Sequence, residues 1–152
     1  MSILLKIKND LSNLPDLISQ YDDEVANAEQ NLMLEGKNLI VANSEQPVWY
    51  HHYYKLLQQL KIAQKFVDNK VDAKKGSLWI HFKENHSRAL ASTDISHYID
   101  NEQSYADLKT MALVVGEMVG EMECLVKAFE QRGYTLRNLT ELRVHELQNV
   151  II

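Results

Sequence analysis

Residues 105–129 read YADLKTMALVVGEMVGEMECLVKAF. Leu108, Met111, Val115, Met118, Met122, Leu125 and Phe129 follow one another at spacings of three and four. This is the apolar seam of a helix that buries one narrow stripe against other helices. Ala112, Val119 and Val126 widen the stripe, which calls for more than one neighbour. The seam predicts a helix that stops at Arg132-Gly133, because glycine takes the left-handed C-terminal conformation without a Cβ cost. The rest of the chain reads as material packed on this helix.

Beyond Gly133, the positions Leu136, Leu139, Leu142, Val144 and Leu147 space out a last amphipathic helix over 135–150. The sequence then runs out in Val150-Ile151-Ile152. Exposed apolar area costs about 25 cal/mol per Å². This end is therefore expected to be covered, by the chain itself or by a neighbouring copy. Before the seam, Asp100-Asn101-Glu102 reads as a turn from which Gln103 or Ser104 opens the long helix. Ser92-Thr93-Asp94 reads as a cap for a short helix over 95–99.

The N-terminal third predicts a short helix over 3–11, broken by Ser12-Asn13-Leu14-Pro15-Asp16. A second seam follows: Tyr21, Val25, Ala28, Leu32, Leu39 and Ala42. Glu35 takes the heptad slot between Leu32 and Leu39, either as a register-fixing polar residue or at a wet edge. Asp22, Asp23, Glu24 and Glu29 suit a helix start and repel phosphate. Asn43-Ser44-Glu45-Gln46-Pro47 reads as a break, with Ser44 or Gln46 capping the next helix. Trp49, Tyr53, Leu56, Leu60, Ala63 and Val67 form a third seam, ending by Lys74-Lys75-Gly76, with Leu57, Ile62 and Phe66 broadening the buried face. Leu78, Ile80 and Phe82 alternate like a strand. Too few strands stand elsewhere to make a sheet, so 78–82 is read as helical.

The chain has 152 residues, five Gly, two Pro and a net charge of −5. That suits long helices and argues against a generic nucleic-acid coat. The single Cys124, between Met122 and Leu125, forms no internal disulfide and suits a reducing cytoplasm. It reads as an inert small hydrophobe. The N-terminus is too short an apolar run for a signal peptide, and no stretch approaches the roughly 20 apolar residues of a membrane span. His51 and His52 are adjacent and point about 100° apart on a helix, so they do not share a metal ion. No Gly-rich phosphate loop, nucleophile setting or metal spacing is present. The chain is therefore read as a non-enzyme that uses no cofactor and no metal.

Charge is segregated. Residues 55–88 hold eight basic and three acidic side chains, net +5, and the remainder holds eight and eighteen, net −10. Lys61, Lys65, Lys70, Lys74, Lys75, Lys83 and Arg88 lie in this stretch with Trp79, Phe82, His81 and His86. Cations for phosphates beside flat rings for unpaired bases are the chemistry of single-strand binding. The competing reading is that Trp79 and Phe82 are core and the lysines a solvated face.

In its last third the chain resembles the UvsY-like recombination mediators of T-even-type phages. The resemblance rests on Arg132-Gly133-Tyr134 followed by Leu136, then Leu142-Arg143 and Glu146, with Ser92-Thr93-Asp94 before the long helix. It runs from about Gln46 to the C-terminus. It implies a protein that binds single-stranded DNA and assembles into rings of about six or seven copies. It also implies partners, a RecA-like phage recombinase and a phage single-strand-binding protein, and work in the cytoplasm of an infected bacterium. That family's DNA-binding pattern is Lys-x-Arg-x-x-Tyr-Tyr-x-Gly. Laid on 68–76, Lys70 stands at the Arg position and Gly76 at the Gly, while Asp68, Ala73 and Lys74 replace the Lys and the tyrosines.

The sequence therefore predicts an all-α protein of long antiparallel helices. An N-terminal arm over 1–44 joins a helical core over 45–152. The DNA-facing residues expected are Lys61, Lys65, Lys70, Lys74, Lys75, Trp79, Lys83 and Arg88. The oligomerisation residues expected are Leu136, Leu139, Leu142, Val144, Leu147 and Val150. The alternative function is a helical scaffold that binds only proteins.

Overall fold

Few breakers and long apolar seams leave the backbone little choice but helix, and the computed structural model, which describes residues 3–86 and 89–145, is helical throughout those seams. The elements are α1 (Ile3–Asn9), a single 3-10 turn (Leu11–Asn13), α2 (Leu14–Leu32), α3 (Leu39–Asn85), α4 (Ser92–Asp100) and α5 (Gln103–Val144). No strand occurs among the described residues. The protein is all-α.

Helices α3 and α5 pack antiparallel. Asn43, Gln46 and Tyr53 rise along α3 as they meet Thr140, Gly133 and Phe129 falling along α5. Contacts divide the chain into two units, each drawn from two stretches. The first takes Met1–Leu14 and Gln59–Val119, the second Pro15–Gln58 and Gly120–Ile152. The first unit buries Ile7, Leu60, Ala63, Val67, Leu78, Ile95, Ile99, Tyr105 and Val115. The second buries Leu17, Tyr21, Ala28, Tyr53, Leu57, Met122, Phe129 and Leu136. Its centre is Tyr53 stacked on Phe129, with centroids 4.4 Å apart at 16°.

Three predicted breaks are not breaks. Pro47 lies inside α3, although an interior proline costs roughly 3 kcal/mol. Ala42 before it and Tyr53 and Leu57 after it are all buried, so packing holds the helix on both sides. The cap of α3 is Asn38, whose Oδ1 accepts from the Ile40 N–H at 2.9 Å, not Ser44 or Gln46. Gly76 also lies within α3. Gly133 lies within α5, so 135–144 is the end of that helix and not a separate one.

The physical reason at Gly133 is close approach: a Cβ there would sit 3.0 Å from Gln46 Nε2. The seam also does not end at Phe129. Arg132 and Leu136 continue its spacing of three and four, and both are buried. Glu35 is neither a seam residue nor a helix edge. It sits in the turn between α2 and α3, where Gly36 takes φ 73°. The short helix α4 starts at Ser92 behind Ala91, with no side-chain cap. Met111 and Ile62 are exposed, unlike the seam neighbours Val115 and Ala63, and Cys124 is exposed.

Buried Arg132 needs partners, and unit two supplies them. Its Nε donates to Leu32 O at 3.2 Å, at the C-terminus of α2, where carbonyls lack helical partners. Its Nη1 donates to Ala42 O at 3.4 Å and Gln46 Oε1 at 2.6 Å. Among the described residues its Nη2 makes no hydrogen bond, and it lies 3.9 Å from Glu45. Burial lowers the pKa of this guanidinium, opposed by the Glu45 carboxylate. Lys37, 3.1 Å from Glu45, holds that carboxyl below its usual range through a side-chain hydrogen bond.

Candidate nucleic-acid interface

Every described member of the predicted DNA-facing set lies on α3 within the first unit. Arg88 falls outside the described residues. A helix turns about 100° per residue. Lys61, Lys65, Lys75, Trp79 and Lys83 therefore fall on one side of the buried seam made by Leu60, Val67 and Leu78. Lys70 and Lys74 fall on the other side. Asp68 and Asp72 interrupt the larger stripe, between Lys65 and Lys75. The basic set is thus two flanks, not one patch.

The lysines are available. Lys65, Lys70, Lys75 and Lys83 are exposed and Lys74 is half-buried. Among the described residues, Lys65, Lys74, Lys75 and Lys83 enter no ion pair. Lys70 bears on Asp10, whose carboxyl is lowered chiefly by the Ser12 backbone hydrogen bond. Net charge follows the units. The first holds ten basic and nine acidic residues, net +1, and the second six and twelve, net −6, which together give −5. The predicted DNA-facing lysines of α3 therefore belong to a near-neutral body.

The rings of this unit gather where α3 ends. Leu78, Ile95, Ile99 and Tyr105 form a buried cluster, against which Val71, Trp79, Phe82 and Leu90 are partly buried. Trp79 and Phe82 are thus anchored in core and open at one edge, so neither competing reading of them is complete. Phe82 stacks on Tyr98 of α4, with centroids 5.5 Å apart at 29°. His86 lies 5.2 Å from Tyr98 and 6.4 Å from Phe82, and His81 meets Phe82 edge-on at 5.4 Å. Tyr98 was not among the predicted residues. Its signal was one position from Ile99: burying Ile95 and Ile99 leaves Tyr98 at the rim of the same face.

Of the predicted assembly residues, Leu136 is 1% exposed and belongs to the chain's own core, because it continues the seam seven residues beyond Phe129. Leu139, Leu142 and Val144 are exposed at the end of α5. Leu147 and Val150 lie outside the described residues. Among the described residues no helix is long and apolar enough to cross a membrane, and no group of three or more His, Cys, Asp or Glu could hold a metal ion.

No family model matches this chain, and neither a curated protein nor a solved structure matches it.

Proposed function

We propose that this chain is a recombination mediator of the UvsY-like kind, acting in the cytoplasm of a phage-infected bacterium. It binds single-stranded DNA, self-associates, and helps a RecA-like recombinase displace a single-strand-binding protein. The observation that carries the reading is that Lys65, Lys74, Lys75 and Lys83 of α3 enter no ion pair among the described residues and stand beside half-open rings on a near-neutral unit. Free ammonium groups can exchange counterions for phosphates without breaking internal pairs. The exposed Leu139, Leu142 and Val144 support association with further copies. The mechanism is presentation: several weak sites on one assembly hold a strand by avidity.

The test is anisotropy of a fluorescent single-stranded oligonucleotide at micromolar protein, in about 50 and 200 mM salt. Salt-sensitive binding supports the reading, and no binding at the lower salt sinks it. Light scattering with and without the strand reports assembly in the same samples. A scaffold that binds only proteins is the second reading, favoured by Asp68 and Asp72 within the larger lysine stripe. Charge reversal at Lys65, Lys75 and Lys83 separates the two: the mediator loses DNA and keeps its assembly, while the scaffold is indifferent.

A further inference from the structure

We infer that Phe82, His86 and Tyr98 form a stacking seat for one unpaired base, with Lys75 and Lys83 holding the flanking phosphates. The inference rests on the single-strand-binding reading and assigns a base site that the lysines alone do not define.

The rings are arranged for it. Phe82 is partly buried on the cluster of Leu78, Ile95, Ile99 and Tyr105, so its position is fixed from below. Tyr98 is 45% exposed although its helix neighbour Ile99 is 1% exposed, and His86 is exposed. The three rings stand 5.2–6.4 Å apart with interplanar angles of 29–43°. Offset aromatic pairs fall in that distance range. A base added at the open edge meets rings that already lie against one another, with Phe82 held by core packing, so less side-chain entropy is lost than on ordering three free rings.

The charges set the direction of the strand. At about 100° per residue, Lys75, Trp79, Phe82 and Lys83 share one side of α3, and His86, one residue past its end, lies 6.4 Å from Phe82. Glu84 falls away from that side. Asp94 lies one turn before Tyr98 on α4 and disfavours a phosphate there. The backbone of the strand is therefore drawn along α3 while the base turns in towards Tyr98. An aromatic side chain of a partner protein could fill the same ring edge, but it brings no phosphates for the two lysines.

The experiment compares oligothymidine with an abasic strand of equal length, which keeps the phosphates and lacks the bases. Anisotropy is measured at low salt for the wild type, Tyr98→Ala, Tyr98→Phe and His86→Ala, with circular dichroism melts to establish folding. The wild type is expected to prefer oligothymidine about tenfold, the scale of one stacked base. Tyr98→Ala loses that preference with its abasic affinity unchanged, and Tyr98→Phe retains it. Should Tyr98→Ala fail to fold, His86→Ala carries the same expectation. Equal binding of both strands by the wild type, or an undiminished preference in folded variants, overturns the seat and leaves the DNA-binding reading standing. No binding of either strand by the wild type overturns both.

Discussion

Arg132 donates to Gln46 Oε1 at 2.6 Å, and Gln46 Nε2 donates to the carbonyl of Phe129 at 2.6 Å. One glutamine thus joins a buried cation on α5 to a carbonyl one turn earlier on the same helix. The cation reaches on to Leu32 O and Ala42 O. Removing Arg132 leaves these acceptors short of a donor in the interior. Arg132→Met keeps apolar volume and removes every donor, and is expected to destabilise the protein by about 3 kcal/mol. Arg132→Lys is expected to recover little, since one ammonium cannot reproduce the spread of the guanidinium. Urea denaturation measures both, and a Met variant as stable as the wild type would show that the arginine only fills space.

Two glycines in helices should answer to alanine with opposite signs. A Cβ at Gly76 meets nothing within 4 Å, so Gly76→Ala gains helix propensity and stabilises by about 0.5–1 kcal/mol. A Cβ at Gly133 meets Gln46 Nε2 at 3.0 Å, and that side chain is held at both ends by hydrogen bonds. Displacing it costs about 1–3 kcal/mol of buried polar pairing, so Gly133→Ala is expected to be net destabilising. Thermal melts of the two variants decide it; equal shifts contradict the close approach.

Alkaline pH should weaken the second unit. Tyr21 donates its hydroxyl to Glu121, and burial first, then that carboxylate, raises its pKa well above the ordinary 10.0. Burial likewise raises Tyr53. The neutral phenols are favoured in the folded state, so their stability is fully present below pH 10.0 and lost as pH climbs through the raised values. Wild-type urea midpoints are expected to fall between pH 9 and 11, at about the tyrosine range. Tyr21→Phe should flatten that fall; an unchanged slope would remove Tyr21 as its source.

The two flanks of α3 predict unequal roles in DNA binding. Lys65, Lys75 and Lys83 share the side that carries Trp79, and Lys70 and Lys74 do not. The triple change of Lys65, Lys75 and Lys83 to Gln is expected to lower the salt slope of oligonucleotide binding by about 2. The double change Lys70→Gln with Lys74→Gln should lower it by less. Equal losses would mean that the strand wraps both sides of the helix.

Much of this fold was legible because burial leaves a period. Val115, Met118, Met122 and Phe129 were marked as seam residues by spacing alone, and all are buried. The partner of a seam leaves no such mark, so the interleaving of 1–14 with 59–119 could not be read from it. Punctuation misled at Pro47, Gly76 and Gly133, where local cost is outweighed by packing or caused by it. Arg132 was counted with Gly133 as the helix stop because its acceptors at Leu32, Ala42 and Gln46 leave no mark in the spacing. The lysines of the candidate interface were legible as composition, but their division into two flanks needed the unbroken helix. Tyr98 was hidden because α4 meets the end of α3 only in space.

The Arg132 bonds to Leu32 and Ala42 span 100 and 90 positions of chain. During synthesis at about 5–20 residues per second, α2 emerges roughly 5–20 s before the residue that closes over its end. Neither unit is one continuous segment, so no early stretch can complete its own core and wait. The nascent chain must hold Tyr21, Ala28 and Tyr53 uncovered for that interval. The carboxylates Asp22, Asp23, Glu24 and Glu29 lie among those apolar positions, where like charges keep neighbouring unfinished chains apart. The acidity that makes this end a poor seat for phosphate thus protects the chain while it is being made.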